Sequence, residues 1–317
     1  MKKAGELLWL VLLGLVLGFG IVFVKVEFFD KPDEQMQAQQ VLQQMKDQDL
    51  GYNVSLEAPA NKQFEIDISN LQEFQYPVNV QNFSGHDGTF SLLVYLDYKQ
   101  QNELTMTFPL KNKEEKLVPL HFPVSDLGEG AHALVLSLIA DSNQMTSQSA
   151  AQEPSEFFGT AGRYTLIKQE SDTFQNAPVP APSEVTRDAN GFQGVFLSPE
   201  TADLDTFKVP PKQVNAKAGQ TVRFSVRMGG DPEVETYLAW ATLGWQQIPW
   251  ENGAPYWYAN VPAGKFAVKT LKFTAPVQPG DYEVASFVAE DPFTRQDLQH
   301  VSRLNVHSSF RFTLHVE

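Results

Sequence analysis

The sequence has 317 residues, which is enough for a membrane segment and two ordinary domains. Its 24 basic and 38 acidic residues give a net charge of −14, which disfavours binding to the phosphate backbone of nucleic acids. The lack of cysteine excludes disulfide scaffolds, thiol catalysis and cysteine-ligated zinc. Hydrophobic residues make up 42% of the chain, so it can bury substantial cores.

An apolar segment near the N-terminus predicts a membrane anchor. Residues 7–24 carry no charged side chain and would span roughly 27 Å as an α-helix, close to the thickness of bilayer hydrocarbon. Lys2 and Lys3 precede this segment, whereas the charges of residues 25–34 sum to −2, so the positive-inside rule predicts a cytoplasmic N-terminus. The alternative, a cleaved signal peptide, lacks the pair of small residues that a cleavage site needs. We therefore expect residues 1–31 to form a cytoplasmic tip and an uncleaved signal-anchor.

A glutamine-rich segment at residues 32–50 predicts a short amphipathic helix just outside the membrane. Its apolar residues recur at i, i+3, i+4 and i+7 from Ala38. This thin stripe could pack onto the first domain, or it could pair two copies as a short coiled coil. Gly14 and Gly18 in the anchor would assist such a homo-oligomer by letting two helices approach closely.

An internal repeat with an offset of about 150 residues organises the rest of the chain. Phe122 matches Phe273, Asp141 matches Asp291 and Arg163 matches Arg311, at offsets of 151, 150 and 148. A weaker match aligns residues 90–101 with 236–247, and both segments end in Gln-Gln. Short alternating runs between turn residues are typical of all-β sandwiches. We predict two tandem immunoglobulin-like β-sandwich domains, at 51–171 and 191–317, joined by a Pro-rich linker at 172–190.

The last run of the sequence alternates in a way that predicts one buried face. In Ser309–Val316, phenylalanine, leucine and valine occupy every second position, with Arg311 and Thr313 between them. A period of two is expected where one side of a sheet is buried and the other meets water.

An aromatic cluster in the second domain gives the most specific candidate site. Alternation with Leu238 places Trp240 in the core, facing the opposite sheet. Four other rings lie where strand periodicity breaks or where a strand faces outward: Trp245, Trp250, Tyr256 and Tyr258. An exposed patch of these rings could stack on sugars or anchor a protein. Alternatively, the rings form a small loop core or pack against the neighbouring module.

The sequence contains no recognised catalytic motif. A GxSxG elbow, an HExxH helix, a P-loop and a GxGxxG turn are all absent, and no two of the six histidines have the tight helical spacing of a zinc site. We therefore predict a non-enzymatic protein without metal or cofactor. The predicted function is a membrane-anchored, extracytoplasmic interaction protein of a bacterial envelope that binds another envelope protein through its β-sandwiches. The alternative is a module that binds cell-wall or other polysaccharide through the aromatic patch, and a third class is a hydrolase with an unrecognised site.

Overall fold

The described part of the chain folds mainly into β-strands, and the predicted all-β class is confirmed. The computed structural model describes residues 51–57, 64–142, 159–169, 173–174, 177–183, 185–200, 213–251, 253–295 and 306–317. The predicted anchor at 7–24 and the predicted amphipathic helix at 32–50 lie outside these residues. Within the described ranges, no helix has the length and apolar character needed to cross a bilayer.

The first module is a sandwich of two sheets. Its strands are β1 (Gly51–Leu56), β2 (Glu65–Asp67), β3 (Glu73–Phe83), β4 (Gly88–Leu96), β5 (Lys99–Gln100), β6 (Met106–Leu110), β7 (Glu115–Pro123), β8 (Gly130–Ala140) and β9 (Gly159–Lys168). The smaller sheet has the order β1-β3-β7, and the larger has the order β2-β9-β8-β4-β5 with β6 also paired to β4. β2 runs parallel to β9, and the other pairs are antiparallel. Phe74, Val78, Leu92 and Leu136 are among the residues buried between the sheets.

The second module repeats this plan. Its strands are β10 (Ala181–Pro182), β11 (Thr186–Asp188), β12 (Gly194–Pro199), β13 (Gln213–Ala216), β14 (Thr221–Gly229), β15 (Thr236–Leu243), β16 (Gln246–Ile248), β17 (Trp257–Asn260), β18 (Lys265–Thr274), β19 (Gly280–Glu290), β20 (Val306–Ser308) and β21 (Phe312–Val316). One sheet has the order β11-β18-β14-β12. The larger has the order β10-β17-β15-β19-β21-β13, with β16 on β15 and β20 on β19. Phe224, Leu271 and Phe312 lie in the core between them.

The main strands of the two modules correspond, while β10, β11 and β20 are additional strands of the second module. The order β1-β3-β7 matches β12-β14-β18, and β2-β9-β8-β4 matches β13-β21-β19-β15, including the parallel pairing of β13 with β21. Asp141 and Asp291 each follow equivalent strands with a left-handed backbone, at φ of 47° and 40°. Residues 181–182 and 186–188, which fall in the predicted linker, pair with strands of the second module.

The last strand departs from its predicted one-sided burial. Phe312 and Leu314 are fully buried as expected, but Thr313 is only 1% exposed and Arg311 only 3%. The Arg311 guanidinium lies 5.9 Å from the centre of the Trp245 ring, which covers the face that was expected to meet water. The prediction of a solvated second face is therefore wrong at Arg311 and Thr313 and holds at the end of the run, where His315 is half-buried and Glu317 is exposed.

Candidate functional site at the junction of the two modules

The larger sheets of the two modules pack against each other and enclose a third apolar core, called here the junction core. Its buried members are Leu93, Tyr95, Tyr98, Ala133, Val135, Ile139 and Ala161 from the first module, and Leu238, Trp240, Trp245, Ala285, Phe287, Ala289 and Val306 from the second. The central strands of both larger sheets are therefore apolar on both faces. One face closes the module's own sandwich, and the other joins the two modules.

Trp240 lies at the centre of the junction core. Its ring stacks on Phe287, with 5.5 Å between centroids and 17° between planes. The rings of Tyr95 and Tyr98 from the first module lie 5.3 and 5.7 Å from it. Trp240 is fully buried, as the sequence predicts, but it faces the other module rather than the opposite sheet of its own sandwich.

Two hairpin turns bring large rings into the junction core. Asp97 and Tyr98 form the two-residue turn between β4 and β5, with φ of 48° and 63°. Gly244 and Trp245 form the equivalent turn between β15 and β16, with φ of 54° and 65°. Two consecutive left-handed residues define a type I′ turn, in which glycine usually takes the second position. Tyr98 and Trp245 take that position here, and the backbone cost of a bulky left-handed residue is offset by burial of each ring.

Two glutamines exchange four hydrogen bonds across the junction. The backbone N–H of Gln100 donates to Oε1 of Gln247 at 2.8 Å, and the backbone N–H of Gln247 donates to Oε1 of Gln100 at 2.6 Å. The Nε2 group of Gln100 donates to the carbonyl of Trp245 at 2.7 Å, and that of Gln247 donates to the carbonyl of Tyr98 at 2.9 Å. If the two modules are interchanged, each of these four bonds takes the place of another bond in the set. The glutamine contact is therefore isologous, as at the interface of a symmetric dimer, although both halves belong to one chain.

A second contact crosses the junction between residues at nearly equivalent positions of the repeat. The Gly159 N–H donates to Oγ of Ser308 at 2.9 Å, and this hydroxyl donates back to the Gly159 carbonyl at 3.0 Å. The two residues are 149 positions apart, close to the repeat offset. An approximate two-fold axis therefore relates the modules.

Arg163 links the modules through a buried polar network. Its Nη1 group donates to the carbonyls of Glu290 and Asp291, at 2.8 and 3.3 Å, and to the Tyr98 hydroxyl at 3.2 Å. The Tyr98 hydroxyl in turn donates to the Pro292 carbonyl at 2.6 Å. Burial raises the pKa of Tyr98 to about 12, although the Arg163 charge opposes the rise, so this hydroxyl stays protonated and keeps its donor role.

One further ion pair crosses the junction, and another lies within the second module. Arg295 of the second module forms a bidentate salt bridge with Glu65 of the first. Its Nε donates to Oε1 at 2.6 Å, and its Nη2 donates to Oε2 at 2.8 Å. Arg311, the repeat counterpart of Arg163, pairs with Glu283 at 3.2 Å, and both side chains are buried. Arginine suits these positions because its planar group can satisfy several acceptors at once.

The structure divides the four predicted site residues between two places. Trp245 lies in the junction core and is 5% exposed, whereas Trp250 lies in the core of the second module and is 3% exposed. The backbone N–H of Trp250 donates to the Ala254 carbonyl at 2.8 Å, and the Trp250 ring lies 5.7 Å from the ring of Trp257 in that core. Tyr256 and Tyr258 are half-buried at the rim of the junction core. The structure therefore does not bring the four rings together as one exposed patch, and ligand binding through the two tyrosines stays a prediction.

The rim tyrosines belong to an aromatic cluster that holds the linker. The ring of Phe293 lies 5.2 Å from Tyr258, 5.5 Å from Tyr98 and 5.8 Å from Phe174 of the linker. The Thr173 carbonyl accepts a hydrogen bond from Ala131 at 3.0 Å. The start of the linker is thus attached to both modules.

The residues that organise the junction carry no motif that marks them as site residues in the sequence. Tyr98 and Gln100 are absent from the predicted site, and Arg163 enters the prediction only as part of the repeat. The shared Gln-Gln ending of residues 90–101 and 236–247 was the available signal, since equivalent glutamines make the reciprocal bonds. Among the residues that the structure describes, no group of three histidine, aspartate or glutamate side chains could hold a metal ion.

Comparison with known proteins gives neither a family nor a function. No family model matches the chain, and no curated protein matches it. Among solved structures, the CARDB domain of PF1109 from Pyrococcus furiosus shares 15% identity at a TM-score of 0.25, covering 38% of this chain and 91% of that one. Red sea bream transglutaminase shares 12% identity at 0.25, covering 90% of this chain and 34% of that one. WR4, a C. elegans MSP family member, shares 15% identity at a TM-score of 0.22, covering 34% of this chain and 94% of that one.

Truncation of the buried tryptophans is expected to destabilise the protein. Trp245→Ala and Trp250→Ala should each lower the free energy of unfolding by about 3–5 kcal/mol, because each removes a ring from a packed core. Val277→Ala, at a side chain that is 83% exposed, should change it by less than about 0.5 kcal/mol and serves as the control. Thermal and denaturant unfolding measure these differences. A parental melting temperature for either tryptophan variant would contradict the assigned burial.

The reciprocal glutamines are expected to act as one unit. In a double-mutant cycle with Gln100→Ala and Gln247→Ala, the coupling energy should be about 0.5–3 kcal/mol, since either single change breaks bonds made by both residues. Equilibrium unfolding of the parent, the two single variants and the double variant supplies the four free energies. Strict additivity would show that the two side chains do not interact in solution.

The first module alone is expected to form a symmetric dimer. A protein of residues 51–174 keeps the core between its own sheets but exposes its half of the junction core. Because the junction is isologous, two copies can meet through the same face. Light scattering should report a dimer at micromolar concentration. Val135→Asp, which places a charge on this face, should give a folded monomer, and a parent fragment that is itself monomeric would argue against the symmetry.

Proposed function

We propose that the chain is a single-pass membrane protein of a bacterial envelope whose two immunoglobulin-like β-sandwiches form one rigid extracytoplasmic body that binds another envelope protein. The junction core is the observation that carries this proposal. Contacts between domains of one chain are typically polar and permit relative motion. The contact between these modules is apolar, buried and tied by the glutamine and arginine networks. A rigid body lowers the entropy cost of binding a partner at two fixed places.

The membrane part of the proposal is supported by the sequence. Residues 7–24 have the length and composition of a spanning helix, and the flanking charges favour a cytoplasmic N-terminus. The immunoglobulin-like part is supported by the strand plan, in which a short strand, β2 or β13, runs parallel to the last strand of its module.

The outer edge of β7 is the contact surface that we propose for the partner. In the second module the chain covers the equivalent edge itself: β11 pairs with β18, and the Val268 N–H donates to the Val185 carbonyl at 3.0 Å. Among the described residues, no strand pairs with the outer edge of β7. Leu117, the counterpart of Val268, is 59% exposed there. An extended segment of a partner could add to this edge.

Two prolines confine this proposed contact to the first half of β7. Pro119 and Pro123 have no N–H to donate, and proline on an edge strand discourages pairing. The donors that remain lie around Leu117.

Protein binding is favoured over polysaccharide binding because Trp245 and Trp250, half of the rings in the predicted sugar-binding patch, are buried.

Protease protection in intact spheroplasts is expected to follow the proposed topology. External protease should remove epitope tags placed after the second module and spare a tag at the N-terminus, because the apolar segment would separate them. Detergent lysis, which should expose both tags, is the control. Loss of the N-terminal tag in intact cells, or a mature chain that starts after the apolar segment, would contradict the anchored topology.

Crosslinking at the β7 edge is expected to capture a protein partner. A photo-reactive residue at position 117 should give a discrete adduct in native membranes, whereas the same residue at position 277, which lies in an exposed turn, should not. Thr107→Pro on β6 and Glu115→Pro on β7 each remove a backbone N–H that faces away from the paired strand. Only Glu115→Pro should abolish the adduct, and both variants should keep the parental far-UV circular dichroism. Equal adducts from positions 117 and 277 would count against the proposed edge.

A further inference from the structure

The turn that carries Tyr98 is fastened to the first module by one carboxylate. Oδ1 of Asp97 accepts the backbone N–H of Ala133 at 2.9 Å, and Oδ2 lies 2.7 Å from Nδ1 of His132. The Asp97 N–H also donates to the Ala133 carbonyl at 2.8 Å. Asp97 thereby determines where the next residue, Tyr98, enters the junction core.

The surroundings of His132 require two protons on its ring. Nδ1 faces the Asp97 carboxylate, and Nε2 lies 3.0 Å from the carbonyl of Gly128. Both partners are acceptors only, so both ring nitrogens must donate for both bonds to form. A neutral imidazole has one N–H and would set a nitrogen lone pair against an oxygen on its other side. The ring is 6% exposed, so water offers little replacement for the lost bond.

We propose that His132 is a proton-controlled latch on the Asp97–Tyr98 turn, so that loss of its proton loosens the junction between the modules. The charged groups that act on the ring are the Asp97 carboxylate and Lys168 of β9, whose ammonium donates to the carbonyls of Val124 and Leu127. Tyr256 of the second module also faces Asp97 and is neutral over this range, since burial raises its pKa. This inference does not depend on the identity of the partner.

The direction of the pH effect follows from the pKa of His132, on which burial and Asp97 act in opposite directions. Burial lowers the pKa of His132, but the hydrogen bond and charge of Asp97 outweigh burial, and the pKa lies above its ordinary value. A histidine whose pKa is raised by folding stabilises the folded form fully below the unfolded pKa of about 6.5. That stabilisation disappears as the pH rises through the folded pKa. The latch is therefore closed in mildly acidic solution and opens in alkaline solution.

The second module lacks the latch and provides an internal control. Gly244 occupies the place of Asp97 and Tyr282 that of His132, at offsets of 147 and 150. The Gly244 N–H donates to the Glu283 carbonyl at 2.8 Å, just as the Asp97 N–H donates to Ala133. The Gly244 turn therefore has the same backbone bond without a titrating partner.

Hydrogen exchange of the full chain tests the proposal. The backbone N–H groups of Gln100 and Gln247 cross the junction, and their protection, corrected for the intrinsic pH dependence of exchange, should fall about tenfold between pH 6 and pH 9. A tenfold change corresponds to 1.4 kcal/mol. Protection of the Gly244 N–H should change much less. Constant protection of the two glutamines would overturn the proposal.

Two variants and one spectroscopic measurement complete the test. His132→Gln can donate to Asp97 but does not titrate, so the glutamine protection should become independent of pH. His315→Gln removes an exposed histidine that pairs with Asp281 at 2.6 Å and should leave the pH dependence intact. An unchanged pH response in His132→Gln would overturn the proposal. If that variant fails to fold, the ring nitrogen shifts of His132 in the parent decide: two protonated nitrogens at pH 6 support the latch, and a neutral ring contradicts it.

Discussion

The insertion of Tyr98 and Trp245 into one shared core is the contact on which the rest of the structure depends. Each ring sits at the second position of a type I′ turn, where a bulky residue must adopt a left-handed backbone that glycine adopts at little cost. Burial against Trp240 and the facing sheet offsets that strain. The turns also place Gln100 and Gln247 opposite each other, because each glutamine follows its ring by two residues.

This contact explains the unusual composition of the central strands. A sandwich strand normally alternates between a core face and a solvated face. In β8 every residue is buried, and β15 and β19 are buried along most of their length. The second face of each strand belongs to the junction core, and Arg163 enters that face with hydrogen bonds to the Tyr98 hydroxyl and two carbonyls. The junction therefore resembles the interface of a symmetric dimer whose halves are joined by a linker.

The all-β class and most strands could be predicted from the sequence, because period-two alternation and turn residues are local signals. The relation between the modules could not, since it depends on which face of each strand meets which neighbour. Trp245 and Trp250 illustrate the difference. Both stand in polar, turn-rich segments that favour exposure, yet the turn geometry aims one ring into the junction core, and the other lies near Trp257 in the core of the second module. Thr313 shows the same effect, because it is polar and lies on the side that alternation assigns to solvent, yet it is only 1% exposed.

If the junction holds the modules as one rigid body, the distance between a point on one module and a point on the other has a single value. Since the chain has no cysteine, spin labels can be attached at two introduced cysteines alone, replacing Leu117 of the first module and Val277 of the second, both exposed. Pulsed electron spin resonance then measures the distribution of distances between the labels in the full chain. A rigid junction gives one narrow distribution, which should broaden when Gln100 and Gln247 are both changed to alanine. A broad distribution in the parent protein would show instead that the modules move independently.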